Sequence, residues 1–405
     1  MPQRPALAFV LVTVFLDVLG MGLMIPVLPT LVGTLTPSGD QQAYWVGALT
    51  AAYGVMQFFC TPLLGALSDQ YGRRPVLLLS IFGLGFSYIV TALSTALPLL
   101  LLARLVSGAT GASISVANAY VADITPAEQR GKNFGVVGAA LGVGFIFGPV
   151  LGGLLGAQDV RLPFWVAAGL SLINWLYGYW VLPESLPLEN RVAVTAKRAN
   201  PFGAFSHLSR LGNMGWLIVA FALTMLAQFM LQSTWVLYTQ FRFNWGPVDN
   251  GVALFVVGIT AVIAQGFMLA RLLKVCGEAR LAIIGMTSAT VTYLGYGLTT
   301  APWLLFVLIF CNLLSFTTVP ALQSLISRAA SAGDQGLTQG SLNAVSSIAM
   351  VVAPLIGTAL IARVSHLPTH DWRIGITFFL CSAVQLVALV VAARYFWRNS
   401  PTNQP

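Results

Sequence analysis

The chain has 405 residues, of which 57% are hydrophobic and only 8% charged, and its mean hydropathy is +0.82. A soluble domain carries about 25% charged residues, so this chain cannot cover a water-facing surface and falls in the membrane class. The formal net charge of +8 would suit a polyanion, but its placement in loops accounts for it without a nucleic-acid partner.

A membrane span needs about 20 mainly apolar residues. Runs of that kind predict twelve, at 6–32, 44–67, 75–95, 97–121, 133–157 and 162–182, then 214–238, 250–274, 280–299, 302–329, 338–364 and 371–396. The first run is longer than the apolar core of a signal peptide, about 7–15 residues, and is expected to be a span. It contains FLDVLGMGLMIPVLP, with Asp17, Gly20, Gly22, Pro26 and Pro29. Asp17 lies about eleven residues in, roughly 16 Å deep and close to midplane. The other acids fall in predicted loops, which leaves Asp17 as the one carboxylate expected within hydrocarbon.

The second span carries Gln57 and ends in GALSDQYGRRP. There Gly65 and Gly72 would allow a close helix approach and a tight turn, and Asp69, Arg73 and Arg74 a charge-assisted cluster. The third span holds Phe86, Ser87 and Tyr88. The fourth carries ARLVSGATGA, Ala103 to Ala112, and later Asn118. Its Arg104 needs a partner or a watery cavity, as a proton relay or substrate contact, or else snorkels to a headgroup. The fifth carries GFIFGPVLGG, in which Gly144, Gly148, Gly152 and Gly153 let backbones touch and Pro149 kinks the helix.

A polar, basic stretch from Pro183 to Asn213 falls mid-chain. It divides the chain into an expected N-terminal half, 1–185, a linker, 186–213, and a C-terminal half, 214–405. A shift of 205 positions aligns Gly72 with Gly277, Gly131 with Gly336, Pro149 with Pro354 and Gly152 with Gly357. Such an offset indicates duplication, and two six-helix halves would place a substrate cavity between them near midplane. The later spans contribute uncharged polar groups and rings suited to an amphipathic ligand: Gln228, Gln232, Trp235 and Gln265.

Of the twenty Lys and Arg, only Arg161, Arg242, Arg363 and Arg373 fall in loops of one side, and Arg104 alone within a span. The others face the opposite side, which puts both termini in the cytoplasm by the positive-inside rule. Cys60, Cys276, Cys311 and Cys381 show neither metal-ligand spacing nor a disulfide framework. The histidines, His207, His366 and His370, lie in loops or at span edges, and no phosphate-binding Walker loop occurs. No enzyme, metal site or cofactor is expected, and an ion gradient is left as the energy source.

GALSDQYGRRP matches a signature of the major facilitator superfamily, GFIFGPVLGG resembles its exporter motif, and ARLVSGATGA its fourth-span arginine motif. The chain more specifically resembles the tetracycline/proton antiporters, through D-x-x-G-x-G-x-x-x-P-x-x-P from Asp17 and through GATGA, ADIT, LPES, RFNW, PALQ and QGSL in order. Gln57 and Gln265 match glutamines of those pumps, whereas Ser87 and Ala289 stand where they carry aspartates. The resemblance implies an all-α membrane protein of twelve helices and proton-coupled efflux of small amphipathic compounds, tetracycline-type or multidrug. Asp17 and Arg104 would serve proton coupling. Gln57, Ser87, Asn118, Gln228, Gln232, Trp235 and Gln265 would line the cavity, and the glycine and charged motifs would gate it. A single chain in a bacterial inner membrane is the expected working unit. An importer or facilitator of a metabolite is the alternative on the same fold, and a receptor or scaffold the alternative from another class.

Overall fold

The computed structural model describes residues 3–195, 200, 202, 214–329 and 335–399. Much of the expected linker, including Lys197, Arg198, His207 and Arg210, lies outside them, as does Asp334. No strand forms among the described residues. Hydrocarbon offers the backbone no water, and a helix satisfies its own peptide groups.

We number the α-helices in chain order. The first part comprises α1 (Gln3–Met24), α2 (Leu28–Thr34), α3 (Gly39–Tyr71), α4 (Arg73–Leu93), α5 (Leu97–Thr110), α6 (Ser113–Ile124), α7 (Arg130–Gln158) and α8 (Leu162–Val181). The second comprises α9 (Gly215–Phe243), α10 (Pro247–Val262), α11 (Leu269–Leu298), α12 (Pro302–Cys311), α13 (Thr318–Ala329), α14 (Gln335–Ala362) and α15 (Ile376–Arg398). Among the described residues ten stretches are long and apolar enough to cross a membrane. One of them, Pro247–Leu298, runs for 52 residues and is broken at Gly277, whose φ is 72°, into two spans. With α8, twelve membrane helices result.

Several predicted spans are interrupted for identifiable reasons. The expected span 6–32 is α1 and α2 joined by a turn through Pro26, which has no N–H to continue a helix. The span 97–121 is α5 and α6 separated by Gly111 and Ala112. A π-helical turn, Ile263–Met268, follows α10, and a 3₁₀ stretch, Asn312–Thr317, separates α12 from α13.

Two compact units emerge. One is Met1–Pro37, Ala52–Pro201 and Gly246–Phe255; the other is Ser38–Ala51, Phe202–Trp245 and Val256–Pro405. The core of the first packs Phe9, Val14, Leu77, Ile81 and Tyr120, and that of the second Phe221, Met286, Leu322 and Leu342. Each unit has a polar pair inside it. Asn174 of α8 donates to Thr13 of α1 at 3.2 Å, and Gln385 of α15 donates to Thr224 of α9 at 3.5 Å.

Candidate functional site

In the first unit two charges lie buried within the spans. Asp17 on α1 is 3% exposed and Arg104 on α5 is 4% exposed. Among the described residues no ion pair joins them, and the Asp17 Oδ2 and Arg104 Nη2 atoms are buried without partners. The Ser113 hydroxyl, at the start of α6, is the hydrogen-bonding neighbour of the Asp17 carboxyl. Tyr53 on α3 and Tyr88 on α4 lie within electrostatic reach of both charges. The Tyr88 hydroxyl stands over Gly20, where an added Cβ would come within 2.9 Å of it. The break between α5 and α6 frees the Gly111 carbonyl from helical bonding, and Gln57 Nε2 donates to it at 3.3 Å. Helices α1, α3, α4, α5 and α6 thus converge on an acid and a base that are not spent on each other. A buried carboxylate without a cationic partner is costly as an ion, and taking up a proton removes that cost.

The glycine motif of α7 holds the acid-bearing helix. Gly144 meets the Phe15 carbonyl and Val18, Gly148 lies against Gly22, and Gly152 lies against Leu23. A Cβ at Gly148 would stand 2.7 Å from the Gly22 Cα, so these contacts are backbone on backbone and flank Asp17 on either side. On its other edge α7 turns Gly153 to the Pro247 carbonyl, and Gly251 of α10 meets the Pro149 carbonyl. Pro149 lies inside the helix, between the two contact edges.

The loop between α3 and α4 is a charged node. Arg73 pairs with Asp69 at 2.6 Å and with Asp123 of α6 at 3.1 Å, and its Nη1 donates to Ser68 Oγ at 2.6 Å. Gly72 adopts φ 106°, a conformation that favours glycine. Glu184, just after α8, accepts the backbone N–H groups of Arg73 at 2.8 Å and Arg74 at 3.2 Å. It therefore satisfies the open N-terminus of α4 from 111 positions away. Arg74 Nη2 donates to the Tyr179 carbonyl at 2.6 Å, and its guanidinium lies 5.8 Å from that ring's centre. The chain after α8 docks on the same loop, with Val192 N–H donating to the Asp69 carbonyl at 3.0 Å. Gly65 corrects the expectation for this motif: nothing lies within 4 Å of its would-be Cβ, so no close approach occurs there.

The remaining expected cavity residues are dispersed. Ser87 is buried and donates to the Leu84 carbonyl at 2.9 Å. Asn118 and Gln228 are half-buried, while Gln232 and Gln265 are exposed. Trp235 is buried in an aromatic core, its ring centre 5.4 Å from that of Tyr296, with Nε1 unpartnered. Sequence reasoning gave no role to Tyr53, Asp123, Ser113 or Glu184. For Ser113, Asp123 and Glu184 a polar residue at a span break or helix end is the only local signal, and Tyr53, in the middle of α3, offered none.

The Major Facilitator Superfamily profile matches residues 10–354. The class C tetracycline resistance protein of Escherichia coli is 37% identical over 403 residues, covering 100% of each chain. Multidrug resistance protein 2 of Bacillus subtilis (strain 168) is 28% identical over 373 residues, covering 90% of this chain and 91% of that one. The crystal structure of the human organic anion transporter MFSD10 (TETRAN) is 25% identical with a TM-score of 0.71, covering 97% of this chain and 100% of that one.

Proposed function

The chain belongs to the Major Facilitator Superfamily, and from that premise we propose that it exports small amphipathic compounds in exchange for protons. It is a multi-pass membrane transporter, not an enzyme. Relatives named for tetracycline resistance, multidrug resistance and organic anion transport support an amphipathic substrate class. The observation that carries the coupling is Asp17, a carboxylate buried in its span with one oxygen unpartnered and no ion pair.

In this reading Asp17 takes a proton from the outer side, which neutralises the acid and lets α1 pass through the occluded state. It releases the proton inward as substrate loads. Gln57 holds the α5–α6 break, and Arg104 sets the local potential through Tyr53 and Tyr88. The glycine contacts of α7 carry α1 with the rest of the first unit as the transporter alternates access. The charged node at α3, α4 and α6 latches one conformation until the motion breaks it. The distribution of Lys and Arg supports cytoplasmic termini in a bacterial inner membrane, with a single chain as the working unit and the proton gradient as its drive.

The test is efflux from proteoliposomes under an imposed pH gradient. Asp17→Asn should lower gradient-driven transport at least tenfold while substrate-driven exchange persists. Full gradient-driven transport in Asp17→Asn would sink the assignment.

A further inference from the structure

The second unit contains a polar site in two irregular turns. The π-helical turn Ile263–Met268 and the 3₁₀ stretch Asn312–Thr317 pack against each other. Irregular turns of this kind inside long helices often mark functional positions, because they re-aim side chains and loosen carbonyls. On the 3₁₀ stretch the loosened carbonyls are taken. Ser288 of α11 donates to the Cys311 carbonyl at 3.0 Å, Ser315 to that of Asn312 at 2.7 Å, and Thr317 to that of Leu314 at 2.7 Å. The Thr318 hydroxyl is buried against Gly285. That hydroxyl is unpartnered, and so is the side-chain oxygen of Asn312, a residue 8% exposed whose Oδ1 is buried and accepts nothing. A buried acceptor left unmet is costly in apolar surroundings, so a donor that reaches it is bound with advantage. On the facing turn, Gln265 presents an exposed amide.

No carboxylate accompanies them. The described acids of this unit are Asp40 in the first turn of α3, Glu278 at the Gly277 break of α11, where it pairs with Arg328, and Asp371 before α15, and the residue beside Ser288 is the buried Ala289. A cation or a metal chelate would find no counter-charge here. We propose that Gln265 and Asn312 form a substrate subsite that selects uncharged N–H and O–H donors. This rests on the export reading above and adds to it the chemistry of the ligand.

The experiment measures pH-gradient-driven transport of three probes by the full chain in proteoliposomes. They are chloramphenicol, which is uncharged and bears hydroxyl and amide donors, ethidium, a permanent cation, and tetracycline as the probe of export itself. Wild type should move chloramphenicol but not ethidium. Asn312→Ala and Gln265→Ala should each raise KM for chloramphenicol about tenfold with kcat within twofold, and Asn312→Ser should recover part of the loss. Asn312→Asp should admit ethidium. Transport of tetracycline or ethidium without chloramphenicol would overturn the subsite and leave export standing, as would an unchanged KM in both alanine variants. A fall in kcat together with a lowered detergent melting point would mark Asn312 as structural and also overturn the proposal. If wild type moves none of the three, export itself falls and the subsite with it.

Discussion

Among the described residues three charged side chains are buried within the helices, and they differ in what they touch. Arg242, in the last turn of α9, is 3% exposed. It donates to the carbonyls of Thr299 at 3.1 Å, Thr369 at 3.0 Å and Asp371. It therefore ties the end of α9 to the segments following α11 and preceding α15. Beside it, hydrogen bonds from Arg373 hold the Asp371 carboxyl down at about 2. Asp371 thus stays ionised through the neutral range, and its contribution to stability is lost only as pH falls toward that value. Arg242→Met should leave three carbonyls unmet and cost about 3 kcal/mol, read as a lower unfolding midpoint in detergent. Sequence counting treats Arg242 as a loop charge, because a span boundary cannot show that the last turn folds inward. Arg242 leaves its Nη2 without a partner, as Asp17 leaves Oδ2 and Arg104 Nη2, but its Nε and Nη1 are spent on those carbonyls, whereas among the described residues no ion pair engages Asp17 or Arg104.

At the scale of elements, the packing of α7 on α1 is a backbone contact that no larger side chain can reproduce. Gly148→Val would drive its branches into the Gly22 Cα, and Gly152→Val into the backbone of Leu23. Overpacking costs typically about 1–3 kcal/mol where neighbours can move, and backbone here cannot. Both variants should lose transport and melt earlier, whereas Gly138→Val on the same helix, with nothing within 4 Å, should retain both. Transport assays beside detergent melts check the contrast. The motif was legible in the sequence because small residues at that spacing have few other uses in a span. Which face they serve was not, and Gly65 shows the limit: it belongs to an equally recognisable motif yet meets nothing.

At the scale of the whole molecule, the offset of 205 positions that aligns Gly72 with Gly277 also aligns two ion pairs of reversed sign. Both glycines have positive φ, 106° and 72°. Arg73 and Asp123 pair in the first unit at 3.1 Å, and Glu278 and Arg328 occupy the matching positions of the second at 2.7 Å. The duplicated loop therefore keeps its glycine conformation and its ion pair while the charges are exchanged. Reversal should be tolerated unequally. Glu278→Arg with Arg328→Glu restores one attraction and should recover the transport lost in either single variant. Arg73→Glu with Asp123→Arg leaves the new carboxylate beside Asp69 and should not; a double-mutant cycle in each half measures the difference. The sequence by itself determined the membrane class, the twelve spans and the place of Asp17 as the one span carboxylate. Those follow from rules that act over about 20 neighbouring residues, namely the apolar length a bilayer demands and the cost of charge within it. Only the tertiary structure decided which polar atoms are met. Glu184 caps a helix 111 positions away, Arg73 finds Asp123 at 50, and Arg104 and Asn312 keep atoms without partners. Such pairings depend on how helices distant in the chain are packed side by side, and no local pattern encodes that distance.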